Sequence, residues 1–404
     1  MKKIIIFSAT FPPEPTVSAK ISYDLALELS KNNIITVVCP SSSRPLGFKF
    51  VKKVEIFNFN VKVIDSYTCP ELNLFGRFRE SVSFGQKCKA FIRNNCQEID
   101  LIYMNVWPLF AQFYILRAAI RYNIKVITHI QDVYPESQTN KLPAPIKQLF
   151  NWFLLPIDKY VLKNSDHVIT ISEKMKGYLM KTRHLPIGKI SVVTNWQDEK
   201  DCNRIQPKTK PITNSENLTF MYLGNIGPVA GVEFLIESFA MANLSAARLV
   251  IAGSGSMKDY CQKLSMKFEN LNIEFIDVPS DKVYEIQAQA DVMLLPVKKG
   301  SAMSSIPSKL PAYMFSKKPI IGCVDIDSDT ADSIIKSDCG WVIEPENKTQ
   351  LIDMFKLISK KTHKLRAIKG GNGFNYAMEK FSQKVNLPKM VSLVEKTIST
   401  NQQI

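Results

Sequence analysis

Three stretches of this 404-residue chain have the residue types and spacing to handle a phosphate. The first is Phe220-Met221-Tyr222-Leu223-Gly224-Asn225-Ile226-Gly227, followed by Gly231-Val232-Glu233. It reads as strand, glycine turn and helix. Glycines let the backbone approach an anion closely, and the opening turn of a helix presents free amides. It also reads as an ordinary strand-to-helix turn. The second, Ala252-Gly253-Ser254-Gly255, repeats the theme but lacks the third glycine of a dinucleotide fingerprint. The third runs from Ser301 to Met314. With Pro307 in the first turn of a helix, Ser305 and the early amides would face a ligand, and Lys309 would bring a point charge to a diphosphate. A solvated serine-rich loop with an incidental lysine fits the same residues.

These segments need a scaffold, and the apolar pattern supplies one. Short apolar runs read as strands at Lys3–Ser8, Ile34–Cys39, Leu101–Asn105, Lys125–Ile130 and His167–Ile171. A second set falls at Leu218–Leu223, Arg248–Ala252, Ile273–Asp277, Val292–Leu295, Pro319–Cys323 and Gly340–Ile343. Amphipathic segments such as Ser18–Ser30 and Val232–Met241 lie between them. This alternation predicts parallel sheets covered by helices. The chain divides into residues 1–196, a linker at 197–217 poor in large apolar residues, and residues 218–384, with a last helix near 385–400. Open sheets of this kind bind ligands beyond the carboxyl ends of their strands, which predicts a site in a cleft between two facing units.

Composition narrows the function. Residues 1–200 carry 27 Lys+Arg against 16 Asp+Glu, and the whole chain has a net charge of +15. No run of five basic residues occurs, and no nucleic-acid-binding signature is found, so nucleic acid is not the expected partner. The eight cysteines form no Cys-x-x-Cys pair and lie far from the four histidines, so no metal site is expected. Asp325, Asp327, Asp329 and Asp332 lack the glycine and closing glutamate of a calcium loop and read as a solvated helix start. The apolar run after Met1 is too short for a signal peptide, and no stretch is long enough to span a membrane. The segment Pro145–Leu162, rich in aromatic residues and flanked by Lys147, Lys159 and Lys163, suits an interfacial helix. Interrupted by Pro156, it reads more readily as a core helix with basic edges.

The order of motifs resembles the retaining glycosyltransferases of family 4. The matching stretches are Phe11-Pro12-Pro13-Glu14-Pro15, Gln131-Asp132-Val133-Tyr134-Pro135-Glu136-Ser137, Thr170 to Met175, Thr194-Asn195-Trp196, Tyr222 to Gly227, Ala290-Asp291-Val292, Pro307-Ser308-Lys309-Leu310 with Tyr313-Met314, and Lys318 to Ile321. A bacterial surface-polysaccharide branch that includes fucosamine-type transferases is similar in its Gln-Asp-x-x-Pro-Glu-Ser and Pro-Ser-Lys-Leu wording. The resemblance implies an α/β protein of the GT-B fold, two facing Rossmann-like domains with an interdomain cleft. It implies a donor site of Gly224, Asn225, Gly227, Gly253, Val278, Ser305, Ser308, Lys309 and Tyr313. On the acceptor and sugar side it implies Pro13, Glu14, Ser18, Gln131 and Glu136, with Asp132, His129 and Lys309 as the catalytic set.

The implied reaction moves a sugar, with its anomeric configuration kept, from a nucleotide-diphosphate sugar of the UDP type to a lipid-linked saccharide. The expected place is the cytoplasmic face of an anionic membrane, and no metal or other cofactor is required. Two family glutamates align with Ser304 and Ala312, and two basic residues of the phosphate loop align with Asn225 and Ala230. These departures keep a lapsed paralogue open as an alternative, beside another GT-B activity such as a sugar-nucleotide epimerase. No paired carboxylates stand at hydrolase-like positions, which argues against a glycosidase.

Overall fold

The computed structural model describes residues 1–44, 50, 58–69, 74–139, 142–199, 218–268, 272–279, 282–300 and 306–400. Most of the linker, and Ser304 and Ser305, lie outside the described residues. The chain divides into two compact units, Met1–Asn195 with Asn386–Ile404, and Trp196–Val385.

The first unit holds a seven-stranded parallel sheet. Its strands are β1 (Lys3–Ser8), β2 (Ile34–Pro40), β3 (Asn60–Ile64), β4 (Leu101–Asn105), β5 (Lys125–Ile130), β6 (His167–Thr170) and β7 (Ile190–Val192), in the order β3-β2-β1-β4-β5-β6-β7. Strands buried on both faces read as continuous apolar runs, as Ile4, Ile5, Ile6 and Phe7 show. The β1–β4 register sets Ser8 beside Asn105, so two polar residues close neighbouring strands at the carboxyl rim. The last helix, Gln383–Ser399, belongs to this unit over most of its length. Its final carbonyls, those of Thr397 and Ile398, accept from Lys125 Nζ at 3.0 and 3.1 Å, a cationic cap on a helix end.

The second unit repeats the plan with β8 (Leu218–Leu223), β9 (Ala247–Ala252), β10 (Ile273–Ile276), β11 (Val292–Pro296), β12 (Ile320–Cys323) and β13 (Gly340–Ile343), ordered β10-β9-β8-β11-β12-β13. Alternation along β8 serves two cores. Phe220 and Tyr222 pack on one face, where Phe220, Phe239 and Phe355 meet edge to face. Met221 and Leu223 pack on the other with Tyr313, Met314 and Phe381. In both units the order turns back beside the first strand, the place where open α/β sheets leave a crevice.

Helix Ala144–Asn164 runs straight through Pro156, whose side is exposed, so proline does not interrupt it. Its second half buries Leu154, Asp158, Val161 and Leu162. Its first half does not behave as a core helix, because Leu149, Trp152 and Phe153 are 64%, 77% and 57% exposed. Among the described residues no helix is long and apolar enough to cross a membrane.

Candidate functional site

In the second unit the glycine turn after β8 is packed from two sides. Gly253 has φ +134°, and a Cβ there would lie 2.1 Å from the carbonyl oxygen of Gly224. The two loops therefore touch backbone to backbone, which only glycine allows. Lys309 lies across Gly224 from the other side, its ammonium 5.3 Å from the centre of the Tyr222 ring. Burial pushes the Lys309 ammonium below the ordinary lysine range. Among the described residues no carboxylate pairs with it. A partly desolvated cation held by an aromatic face and a bare backbone turn is a ready anion-binding element.

Tyr222 was not singled out by the sequence. Its hydroxyl donates to the Asn225 carbonyl at 2.6 Å and fixes the turn that carries Gly224. Asn225 is exposed, Gly227 buried, and Val278 half-buried two residues beyond β10. Ser308 is exposed and precedes the helix Lys309–Phe315, so that helix starts at Lys309 and leaves Pro307 outside it. Tyr313 does not face a ligand. It is fully buried, and its hydroxyl donates to the Leu223 carbonyl at 2.8 Å while accepting from the Leu223 amide at 3.0 Å. It acts on the turn from behind, by holding the end of β8.

In the first unit the carboxyl rim carries a closed polar network. Ser18 Oγ donates to Gln131 Oε1 at 2.9 Å, Gln131 Nε2 donates to Asn105 Oδ1 at 2.9 Å, and Asn105 Nδ2 donates to Ser22 Oγ at 2.9 Å. Ser22 also meets Ser8 Oγ at 2.8 Å, and Thr16 caps the helix Val17–Leu29 by accepting from the Ala19 amide. Such networks rigidify a site, because each member is oriented by the next. Asp132 is exposed beside Gln131, and Pro13 is exposed next to a cis Pro12–Pro13 bond. Asn105 and Ser8 were missed in the sequence, where each is a polar residue closing an apolar strand; Ser22, inside the helix Val17–Leu29, carried no such signal.

Three expected site residues have other work. His129 is 3% exposed, its Nδ1 meets the Tyr103 hydroxyl at 2.8 Å, and burial pushes its pKa down to about 3. It stays neutral at ordinary pH and lies in the core against Tyr103. Glu14 is buried, and its carboxylate accepts from the Ser43 and Arg44 amides at 2.6 and 2.8 Å, anchoring a loop. Glu136 is clamped by both amino groups of Arg183 at 2.6 and 2.7 Å and also accepts from Tyr178. Burial raises the Glu136 carboxyl, but the Arg183 bonds and charge outweigh it and hold the pKa below the usual range. The same arginine binds Asp158 at 2.7 Å, where burial dominates and lifts the pKa to about 6. Among the described residues no group of His, Cys, Asp or Glu side chains is arranged to hold a metal ion. Asp329 and Asp332 lie in the first turn of the helix Asp329–Lys336.

Two α/β units, each with an all-parallel sheet of Rossmann order, are the plan of the GT-B fold. Sequence comparison agrees in both halves: a model of Glycosyltransferase Family 4 matches residues 19–200, and one of Glycosyl transferases group 1 matches residues 204–394. The chain belongs to these family 4/group 1 glycosyltransferases. A curated relative is the probable glycosyltransferase WbjE of Pseudomonas aeruginosa, 22% identical over 300 residues covering 72% of each chain. Two solved structures share the fold. Sucrose-phosphate synthase from Thermosynechococcus elongatus has a TM-score of 0.76 at 14% identity, covering 99% of this chain and 100% of that one. Anabaena HepE in complex with UDP has a TM-score of 0.69 at 14% identity, with the same coverage.

Proposed function

We propose that the protein is a retaining transferase that moves a sugar, of the N-acetylated amino type, from a UDP-sugar to a lipid-linked saccharide in bacterial surface-polysaccharide synthesis. The observation that carries the donor half is Lys309, a partly buried ammonium lying on the bare turn at Gly224. The leaving diphosphate gains negative charge as the glycosidic bond breaks, and a preorganised cation beside it favours the transition state over the ground state. It stands in for the cations that Asn225 and Ala230 do not provide. In a front-face path the leaving phosphate oxygen takes the proton of the acceptor hydroxyl, which needs no nucleophile or base from the protein. Gln131, oriented by Ser18 and Asn105, and Asp132 beside it are the groups offered to the sugar. HepE, described with UDP and with UDP-glucose, supports a uridine donor by kinship of fold.

The acceptor half draws on the surface of the first unit. Leu149, Trp152 and Phe153 project from a helix that also carries Lys147, Lys159 and Lys163, a combination suited to an anionic membrane. In this reading the enzyme works at the cytoplasmic face of the cell membrane as a peripheral protein. The test is a calorimetric and thermal-shift panel of nucleoside diphosphates and their sugars on the wild type and Lys309→Ala. One uridine ligand should raise the melting temperature, and Lys309→Ala should remove the shift and lower transfer activity by about 10²–10³-fold. Absence of binding by every diphosphate would instead favour a non-catalytic partner of an active transferase, the reading that Ser304 and Ala312 motivate.

A further inference from the structure

Arg183 ends the helix Glu173–Arg183 and is 1% exposed, which is rare for a charged side chain. A guanidinium has five N–H donors in one plane, and here each has a receiver. Nε donates to Asp158 Oδ2 at 2.7 Å. Nη1 donates to Glu136 Oε1 at 2.6 Å and to Thr182 Oγ1 at 2.9 Å. Nη2 donates to Glu136 Oε2 at 2.7 Å and to the Tyr134 carbonyl at 2.8 Å. The receivers come from three segments: the helix Ala144–Asn164, the end of the helix Glu173–Arg183, and the stretch from β5 into the helix Glu136–Thr139. Withdrawing a cation and two carboxylates from water is costly, and apolar side chains of like volume often serve stability as well. A planar fork adds what apolar packing does not, a fixed direction for each partner.

The stretch so held is the one that carries Gln131 and Asp132. Its upstream end is fixed through Gln131 by Ser18 and Asn105. Val133 is buried in the core, and its carbonyl accepts from the Ser137 amide at 2.8 Å. The Pro135 carbonyl accepts from the Gln138 and Thr139 amides at 3.0 Å. The exposed Asp132 therefore lies between two anchors, the Gln131 network and the Tyr134 carbonyl on Arg183. We propose that Arg183 is a positioning residue for sugar transfer, its fork setting the place of the Gln131-Asp132 turn against the sugar. This rests on the first unit offering that turn to the sugar, as in the function proposed above. A lysine there would keep the charge but not the paired bonds to Glu136 together with those to Asp158 and Tyr134. A displacement of the turn by about 1 Å is enough to cost on the order of 10²-fold in rate.

The test uses the full chain with UDP-N-acetylglucosamine as probe, reading UDP release into water beside amide hydrogen exchange. Arg183→Lys should speed exchange at the Ser137, Gln138 and Thr139 amides at least tenfold, while β4 and β6 exchange as in wild type. It should also lower kcat at least tenfold and leave KM within twofold, because the second unit holds the donor. Glu136→Gln keeps the Arg183–Asp158 pair and should move the same amides and kcat in the same direction, so it carries the test if Arg183→Lys does not fold. Exchange raised throughout the first unit with kcat of the folded protein intact would mean a structural role only and overturn the proposal. Unchanged exchange at the three amides in both variants would overturn it as well. No UDP release by wild type from this or any other UDP-sugar would refute the transferase reading, and exchange in the two variants would still decide whether Arg183 holds the turn.

Discussion

Replacing Gly224 by alanine should disable the phosphate side of the site while leaving the second unit folded. Gly224 has φ +153°, and its added Cβ would fall 2.1 Å from Cε of Lys309, 3.1 Å from Cδ and 3.2 Å from Nζ. Carbons in contact sit about 3.5–4.0 Å apart, so Cε must retreat by roughly 1.5 Å. It can do so, because the obstacle is a flexible side chain. The stability cost is then mainly that of an alanine in a glycine conformation, about 1–3 kcal/mol, or about 2–4 °C of melting temperature per kcal/mol in a unit of this size. The functional cost is larger. A binding group misplaced by about 1 Å loses on the order of 10²-fold in rate, and the ammonium moves with Cε. Transfer assays should therefore show kcat/KM down by about 10²-fold in Gly224→Ala. A double-mutant cycle makes the cause visible: if alanine acts by expelling Lys309, adding it to Lys309→Ala costs almost nothing more. Losses that add in full, or an unimpaired Gly224→Ala, would refute the reasoning.

Three further outcomes are expected. His129 titrates near about 3 when folded, against about 6.5 in an unfolded chain, so its neutral ring favours the fold fully above pH 6.5 and less as pH falls. Urea melts of wild type and His129→Leu should differ by about 1.4 kcal/mol less for each pH unit below 6.5, and a pH-independent difference would count against a buried neutral ring. Arg183→Leu strands Glu136 and Asp158 without their shared cation and should cost about 3–5 kcal/mol in urea unfolding; a loss under about 1 kcal/mol would show the pairs to be dispensable. Leu149→Ser with Trp152→Ser should lower retention on phosphatidylglycerol vesicles about tenfold or more without moving the melting temperature, and unchanged retention would remove the membrane role of that face.

Much of the scaffold was legible because buried parallel strands are apolar from end to end. Lys3–Ser8, Leu101–Asn105, Lys125–Ile130, Leu218–Leu223 and Gly340–Ile343 stand at the bounds their apolar runs indicate. β3 escaped notice because it lies at the sheet edge with Val63 54% exposed, and β7 because it is three residues long. The helix through Pro156 was misread, since a proline whose ring meets solvent does not have to end a helix. Site chemistry was less legible, for a different reason. That Glu136 belongs to Arg183, or that Lys309 lies on Gly224, depends on residues 47 and 85 positions apart meeting in space. Residue type suggested a charge at each place. Only the packing says whether that charge is already spent.

The return of helix Gln383–Ser399 to the first unit bears on how the chain is made. The unit that leaves the ribosome first is the one completed last, when Met390 reaches the Tyr103 hydroxyl and the final turn reaches Lys125. The second unit, continuous from Trp196 to Val385, can finish folding while the first still waits for its last helix. Cutting the gene in the linker would accordingly not yield two self-sufficient halves, because the upstream piece would lack a helix encoded at the far end.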